Sequence, residues 1–585
     1  MNGVKIHMET IAVVKDNRFK LDSKSMAMGY VLAICSLLRI YFFDLVGIWF
    51  PSKEMLDDDL MVEYATGYYD TFPGVYSLVK TKGFPLFLRF VNFTRLDYGT
   101  VLSIVWIVAA LLVYRLMHKL TRKRSLSLLA FLYVLFYPTA FELWLGTRLY
   151  RNSIIIPFLI ILFYFALSMT LRIFHAERRL PVLICNAILL GACFSFVYYI
   201  KEDGAWLLAC MLALSALSLL MSIIRGVRRN DKATAKRTLI YSLILLIPFA
   251  IFAGTTQCYK AVNYRKFGVS EIETRTQGEI GKFCKIMISI DAEGRTGDCW
   301  VPKDALDKAF AASKTLSEHQ GLEEAILQYT SEPFKPNIQG DFLSWDLRSA
   351  LTVTGMWQSE SQMQAFFHQV NEELEIAFAD GTLQKSSRFQ LVSSMGGRTK
   401  DEILDLIPAI MKQYNGVILL HGYTAGSGTG DSISDPSVSR DAADVANTPY
   451  LVDYSLSGID HEGINRVINT LFDIYRMVNI LLLLISIMAF IYGVVYLISH
   501  RNKKKSENVK FQFYLFALSI TMGLAGAAYS LAIAWFTGFI NVSGYNYEIV
   551  NFYNLATVVF QIYIFIFSFV FLHCMKREKQ KEMAG

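Results

Sequence analysis

Three consecutive carboxylates, Asp57, Asp58 and Asp59, stand just beyond a long apolar run, in a segment that also carries Glu54, Glu63 and Asp70. Adjacent carboxylates raise one another's proton affinity, so such a group is suited to take a proton from a hydroxyl or to attract a cation. A solvated acidic loop has the same composition and needs no chemistry. Two other short segments between apolar runs are charged as well. Gly146-Thr-Arg-Leu-Tyr-Arg151 presents Arg148 and Arg151, and Lys201-Glu202-Asp203-Gly204 precedes Trp206. Each has a plain alternative, head-group anchoring for the arginines and a hydrophilic turn for the second. If the three segments converge, an acidic loop faces a cationic cluster at the water–lipid boundary. That arrangement suits a substrate with an anionic phosphate and a lipid tail.

The elements that must position these residues are membrane spans. Of the 585 residues 54% are hydrophobic and only 18% charged, and the mean hydropathy is +0.36, more apolar side chain than one soluble fold can hide. The same numbers exclude a disordered, collagenous or disulfide-stapled chain. The net charge of +7 comes from Lys and Arg scattered between apolar runs, so no nucleic-acid partner is expected. Runs of about 20 apolar residues cross a bilayer, and ten occur, near 26–48, 98–117, 126–145, 153–171, 181–200, 204–224, 238–258, 476–498, 511–538 and 553–573. The first follows Lys5, Lys15, Arg18, Lys20 and Lys24 without a small-residue cleavage site, which predicts a retained helix. Alternate loops are basic, at Lys119 to Arg124, Arg172 to Arg179, Arg225 to Arg237, Arg501 to Lys505 and Lys576 to Lys579. Both termini are therefore expected in the cytoplasm, and the loops at 51–97, 146–152, 201–203, 259–475 and 539–552 outside it, in a multi-pass protein of the cell membrane.

The predicted architecture is a membrane all-α bundle of about ten helices with a soluble α+β exoplasmic domain inserted. Residues 1–258 form an N-terminal transmembrane domain, 259–475 the insert, and 476–585 a C-terminal transmembrane domain. Within the insert, Ser359, Gln362 and the apolar series Phe366, Phe367, Val370, Leu374 and Phe378 predict a capped amphipathic helix ending at Gly381. Two helices are expected around a turn at Gly355, and a short strand at Val417 to Leu420. Gly422, Gly426, Gly428 and Gly430 lack phosphate-cradling spacing and read as a loop.

Taken in order, Asp58-Asp59-Leu60, Lys82-Gly83-Phe84-Pro85-Leu86-Phe87-Leu88, Arg148-Leu-Tyr-Arg151 and Lys201-Glu-Asp-Gly-Ala-Trp206 resemble the GT-C class of polytopic glycosyltransferases. Within that class the chain is similar to bacterial relatives of the protein O-mannosyltransferases and aminoarabinose lipid A transferases. Asn263 to Val269, Val301-Pro302-Lys303 and Phe342 to Ala350 extend the resemblance to about residue 380. It implies a cell-envelope enzyme whose donor is a sugar on polyprenyl phosphate, with membrane lipids around it and a protein, lipid or wall polymer as acceptor. It also implies an acidic base in the first external loop, Asp58 first and Asp59 second, with Asp57 left open. Arg148, Arg151 and Lys201 take the donor-phosphate role, and Glu202, Asp203 and Lys82 orient the substrate. Many members carry Asp-Glu where Asp58-Asp59 stands here, and Arg where Lys201 stands.

Chemistry alone agrees, because displacing a polyprenyl phosphate needs one base and fixed positive charge for the leaving group, whereas a glycosidase needs a separated carboxyl pair. Direct attack predicts inversion. No cofactor is required, although the acidic triplet leaves room for a divalent cation, Mg or Mn. The His residues are dispersed with no pair at metal-ligand spacing, so a zinc site is not expected, and Cys284 and Cys299 are spaced so that they could pair. Arg39, inside the first run, needs a partner, for which Asp44 is a candidate. Lys82 also suits an interfacial anchor beside an amphipathic helix from Phe84 to Phe93. The rival class is a transporter or flippase for a lipid-linked or anionic solute. It expects functional charges near the midplane and matching halves, whereas the acidic triplet, Arg148, Arg151 and Lys201 lie at the external ends of spans and no halves match.

Overall fold

In hydrocarbon a backbone satisfies its own hydrogen bonds by coiling, and the computed structural model follows that rule. It describes residues 23–51, 56–229, 232–426, 436–452, 458, 460–499, 507–540 and 546–584. Lys5, Lys15, Arg18, Lys20, Glu54, Gly428, Gly430 and Arg501 to Lys505 lie outside the described residues. Among those described, nine helices are long and apolar enough to cross a membrane: Ser25–Val46, Tyr98–Thr121, Arg151–Phe174, Leu180–Tyr198, Ala205–Ile224, Ala235–Phe267, His461–Tyr496, Val509–Ile540 and Leu555–Lys576. The protein is a multi-pass membrane protein, and nine of the ten expected runs are such helices.

The tenth, 126–145, differs from expectation. Its helix, Arg124–Leu135, stops after 12 residues and is followed by a 3₁₀ turn, Pro138–Ala140. Pro138 is the physical reason, since proline cannot continue the hydrogen-bond ladder and forces the residue before it out of the helical region; Tyr137 is extended, with φ −61° and ψ 133°. The chain nevertheless returns to the end of the bundle from which Tyr98–Thr121 starts. There Trp49 N donates to Thr147 O at 3.0 Å and Leu149 N to Trp49 O at 2.8 Å, a parallel bridge between Trp49 and Arg148.

The helices Lys232–Phe267 and His461–Ser499 overrun both expected edges of the insert. Among the described residues the regular structure between them is helical apart from two short antiparallel strands, Cys299–Val301 and Ile338–Gln339, so the α+β expectation reduces to helices with one small ribbon. Val417 to Leu420, expected as a strand, ends a helix, Ile407–Leu419; a four-residue apolar run cannot distinguish the two. The Glu360–Ala379 helix forms as expected: Ser359 accepts from Gln362 N at 3.3 Å, Val370 and Leu374 are buried, and Gly355 and Gly381 take positive φ of 70° and 84°. Cys284 and Cys299 are free thiols, pushed up by burial to about 12 and about 11.

The insert is anchored to the first loop by a buried network. Arg348 Nη1 donates to Val75 O at 2.5 Å and Nη2 to Thr274 Oγ1 at 2.7 Å, Thr274 N donates to Leu78 O at 2.7 Å, and Glu360 lies 3.5 Å from Arg348. On the other side, Gly83 N donates to Tyr199 O at 2.8 Å, and a Cβ on Gly83 would sit 2.2 Å from that oxygen. This close approach holds the Lys80–Lys82 strap against the 199–204 turn. Replacing Gly83 with Ala is expected to cost about 1–3 kcal/mol through overpacking. Gly254→Ala, whose new Cβ meets nothing within 4 Å, should leave stability unchanged or raise it. Thermal unfolding of the two variants in detergent checks the contrast, and equal midpoints would contradict the backbone contact.

Candidate functional site

The carboxylate triplet occupies the first turn of the helix Leu56–Thr66, where the helix dipole favours negative charge. Successive residues on a helix point about 100° apart, so the three side chains take three different surroundings. Asp58 turns inward and is fully buried. Both its oxygens are occupied by Arg148, Nε donating to Oδ1 at 2.8 Å and Nη2 to Oδ2. Burial pushes the Asp58 carboxyl up to about 6 against the opposing pull of Arg148, and the same contact holds Arg148 above its ordinary value despite burial. Asp59 is half-buried in the same turn.

Asp57 keeps 38% of its side chain exposed. Its Oδ2 receives Lys80 Nζ at 3.0 Å, Tyr150 Oη at 3.3 Å and Arg151 Nη2 at 3.5 Å. Among the described residues all of its partners fall on that one oxygen, leaving Oδ1 to accept from elsewhere. Burial pushes the carboxyl up, but Lys80 and then Arg151 reverse this and hold it below the usual carboxylate value.

Arg148 is carried by a loop that is itself over-determined. The buried Glu142 carboxylate accepts from Trp144 N at 2.8 Å, Leu145 N at 2.7 Å and Thr424 N at 3.4 Å; burial pushes it up to about 8. Gly146 has no room for a Cβ, which would lie 2.3 Å from Thr139 O. The rings of Trp49, Trp144, Tyr150 and Phe552 surround the Arg148 guanidinium at 4.9–5.8 Å.

Arg151 chelates Glu202, Nη1 donating to Oε1 at 2.9 Å and Oε2 at 2.7 Å, and Glu202 Oε1 also accepts from Thr81 N at 3.0 Å. Glu202 stays ionised well below the usual carboxylate range, because Arg151 and Lys80 overcome its burial. Lys201, also buried, has only a neutral acceptor among the described residues, Asn152 Oδ1 at 3.3 Å, and lies 5.8 Å from the rings of Phe552 and Tyr553. Burial lowers its pKa to about 8. Asp203 is exposed on the same turn.

The structure thus brings Asp57, Asp58, Arg148, Arg151 and Glu202 together in direct ion pairs rather than facing each other across a gap, with Lys201 beside them on a neutral acceptor. Lys82 does not join them. It lies 3.7 Å from Asp70, which also pairs with Lys266 at 2.6 Å and Arg89 at 3.5 Å. The lysine of this strap that reaches the cluster is Lys80, two residues earlier, with its Nζ 4.9 Å from the Trp345 ring. Sequence reasoning passed over Lys80, whose signal was its spacing from Lys82, and over Tyr150, which stands between the two arginines. It also missed Arg275 of the insert, paired with Asp341 at 3.1 Å and electrostatically coupled to Glu202 and Asp57. No local pattern marks Arg275.

Breaking a buried pair by removing one partner costs more than replacing both. Asp58→Asn is expected to destabilise by about 3–5 kcal/mol, and Asp58→Asn combined with Arg148→Met to recover most of that. Denaturant unfolding of both in detergent checks the ordering; a double variant as unstable as the sum of the singles would contradict the pairing. No protein-family model, curated protein or solved structure matches this chain.

Proposed function

We propose that this protein is an inverting glycosyltransferase of the GT-C type, passing a sugar from a polyprenyl-phosphate donor to an acceptor at the membrane face where the Asp57 cluster lies. The observation that carries the reading is the asymmetry of Asp57: one oxygen is anchored by Lys80, Tyr150 and Arg151 and the other is left to accept a proton, in a side chain that reaches solvent. In this reading the acceptor hydroxyl attacks the anomeric carbon, its proton passes to Asp57 Oδ1, and the carbon–oxygen bond to the phosphate breaks. The anion that departs needs fixed positive charge and no separate acid.

Lys201, with no carboxylate of its own within ion-pair distance among the described residues, is the cation best suited to that phosphate, with Lys80 and Arg151 beside it. Asp58, both of whose oxygens are engaged, positions Arg148 instead of acting as base, and Glu202 positions Arg151. The cluster faces the exoplasm in this reading, since the loops at the opposite ends of the spans carry the Lys and Arg excess.

Membranes containing the protein are expected to transfer label from a radiolabelled polyprenyl-phosphate sugar. Asp57→Asn should lower kcat by roughly 10²–10⁴, the usual worth of a positioned base. Absence of transfer by the unaltered protein overturns the function; full activity in Asp57→Asn overturns the assignment of the base. The pH dependence supplies a separate check. Lys201 holds a phosphate only while protonated, so kcat/KM, which reports the free enzyme, should fall as pH rises through about 8. Lys201→Arg, which stays charged, should move that limb upward, and an unshifted limb would remove Lys201 from the site.

A further inference from the structure

Away from this cluster, inside the bundle, the structure holds a second cation that its surroundings do not neutralise. Arg39 is fully buried in the first span. None of its three side-chain nitrogens has a hydrogen-bond partner among the described residues, and no carboxylate there, Asp44 included, lies within ion-pair distance. Its guanidinium is flanked by the rings of Phe43 at 4.8 Å and Phe141 at 4.4 Å, which offset only part of the cost of a buried charge. The nearby Tyr475 hydroxyl donates to Tyr133 O at 2.9 Å.

Other buried donors without partners lie on the elements that pack beside Arg39. The Phe43 ring lies 3.1 Å from where a Cβ on Gly99 would be, so the antiparallel helices Ser23–Val46 and Tyr98–Thr121 are in register at that pair. Four residues down the first helix is Arg39, and four residues down the second is Ser103. Trp106 is one turn further on the same face, and Thr139 sits two residues before Phe141. Ser103 Oγ, Trp106 Nε1 and Thr139 Oγ1 are all buried and have no hydrogen-bond partner among the described residues.

We propose that Arg39, Ser103, Trp106 and Thr139 form a binding site for a small inorganic anion of about chloride size within the membrane-spanning bundle. The argument is one of kind and sign. Every one of these groups can donate, two of them can only donate, and the strongest is permanently charged. A water molecule supplies an acceptor but no charge, whereas a buried guanidinium requires a negative one. The phenylalanine rings and the burial of all four side chains favour a compact ion over a phosphate ester or lipid headgroup.

The full-length protein, purified in detergent, tests this with chloride as the probe. Sodium chloride replacing sodium gluconate at constant ionic strength should raise the thermal midpoint saturably in the millimolar range. Arg39→Met, of similar length and uncharged, should lose the dependence. Should that variant fail to fold, Ser103→Ala deletes one donor and should weaken chloride binding roughly tenfold, in line with one hydrogen bond to a charged group. Identical midpoints in chloride and gluconate for the unaltered protein, or an undiminished chloride response in Arg39→Met or in Ser103→Ala, would overturn the proposal.

Discussion

The contact between Asp58 and Arg148 is the constraint on which the charged end of the molecule depends. Either group alone, buried to this degree, is costly; together they lock a helix of the first loop to a loop 90 residues further along the chain. The lock acts through helical geometry. With Asp58 fixed inward, the 100° step between residues leaves Asp57 no choice but to face Lys80 and Arg151, so the orientation of the accessible carboxylate is inherited from the inaccessible one.

The remaining supports converge on the same two segments. Glu142 and the close approach at Gly146 shape the loop that carries Arg148, and the bridge to Trp49 seats it against the end of the first span. From the insert, Arg348 and Thr274 clamp Val75 and Leu78, a few residues ahead of Lys80. Glu202 reaches Thr81 as well as Arg151, tying the strap to the third short turn. A charged cluster assembled from four stretches of sequence therefore rests mainly on backbone-directed hydrogen bonds, whose geometry is more restrictive than that of surface ion pairs.

Much of this was legible from the amino-acid order, and the failures have identifiable causes. Hydropathy located the spans because a crossing needs uninterrupted apolar length, and it overestimated 126–145 because a proline inside an apolar run changes conformation without changing hydropathy. The Ser359 cap was readable since capping is local; Val417 to Leu420 was not, as four apolar residues fit either period. The convergence of the acidic triplet with Arg148, Arg151 and Lys201 could be anticipated from their shared position at span ends. Which carboxylate faces inward could not, because that depends on a helix phase set by a distant arginine. Lys80 and Lys82 differ by two residues and point to different partners, Asp57 and Asp70, a distinction that only the fold of the strap makes.

Charge balance at the cluster connects its structure to how it would respond to a ligand. Arg148 is neutralised by Asp58 and Arg151 largely by Glu202, while Lys80 shares Asp57. Lys201 alone meets a neutral acceptor, and burial has already moved its pKa down to about 8. An anion that reaches Lys201 favours the ammonium form and raises that pKa again, so binding above about pH 8 takes up a proton along with the anion. Lys80, which burial also holds below the usual lysine value despite Asp57, responds in the same direction. Proton uptake on binding is therefore expected first at Lys201, the cation of the cluster that has no carboxylate within ion-pair distance among the described residues.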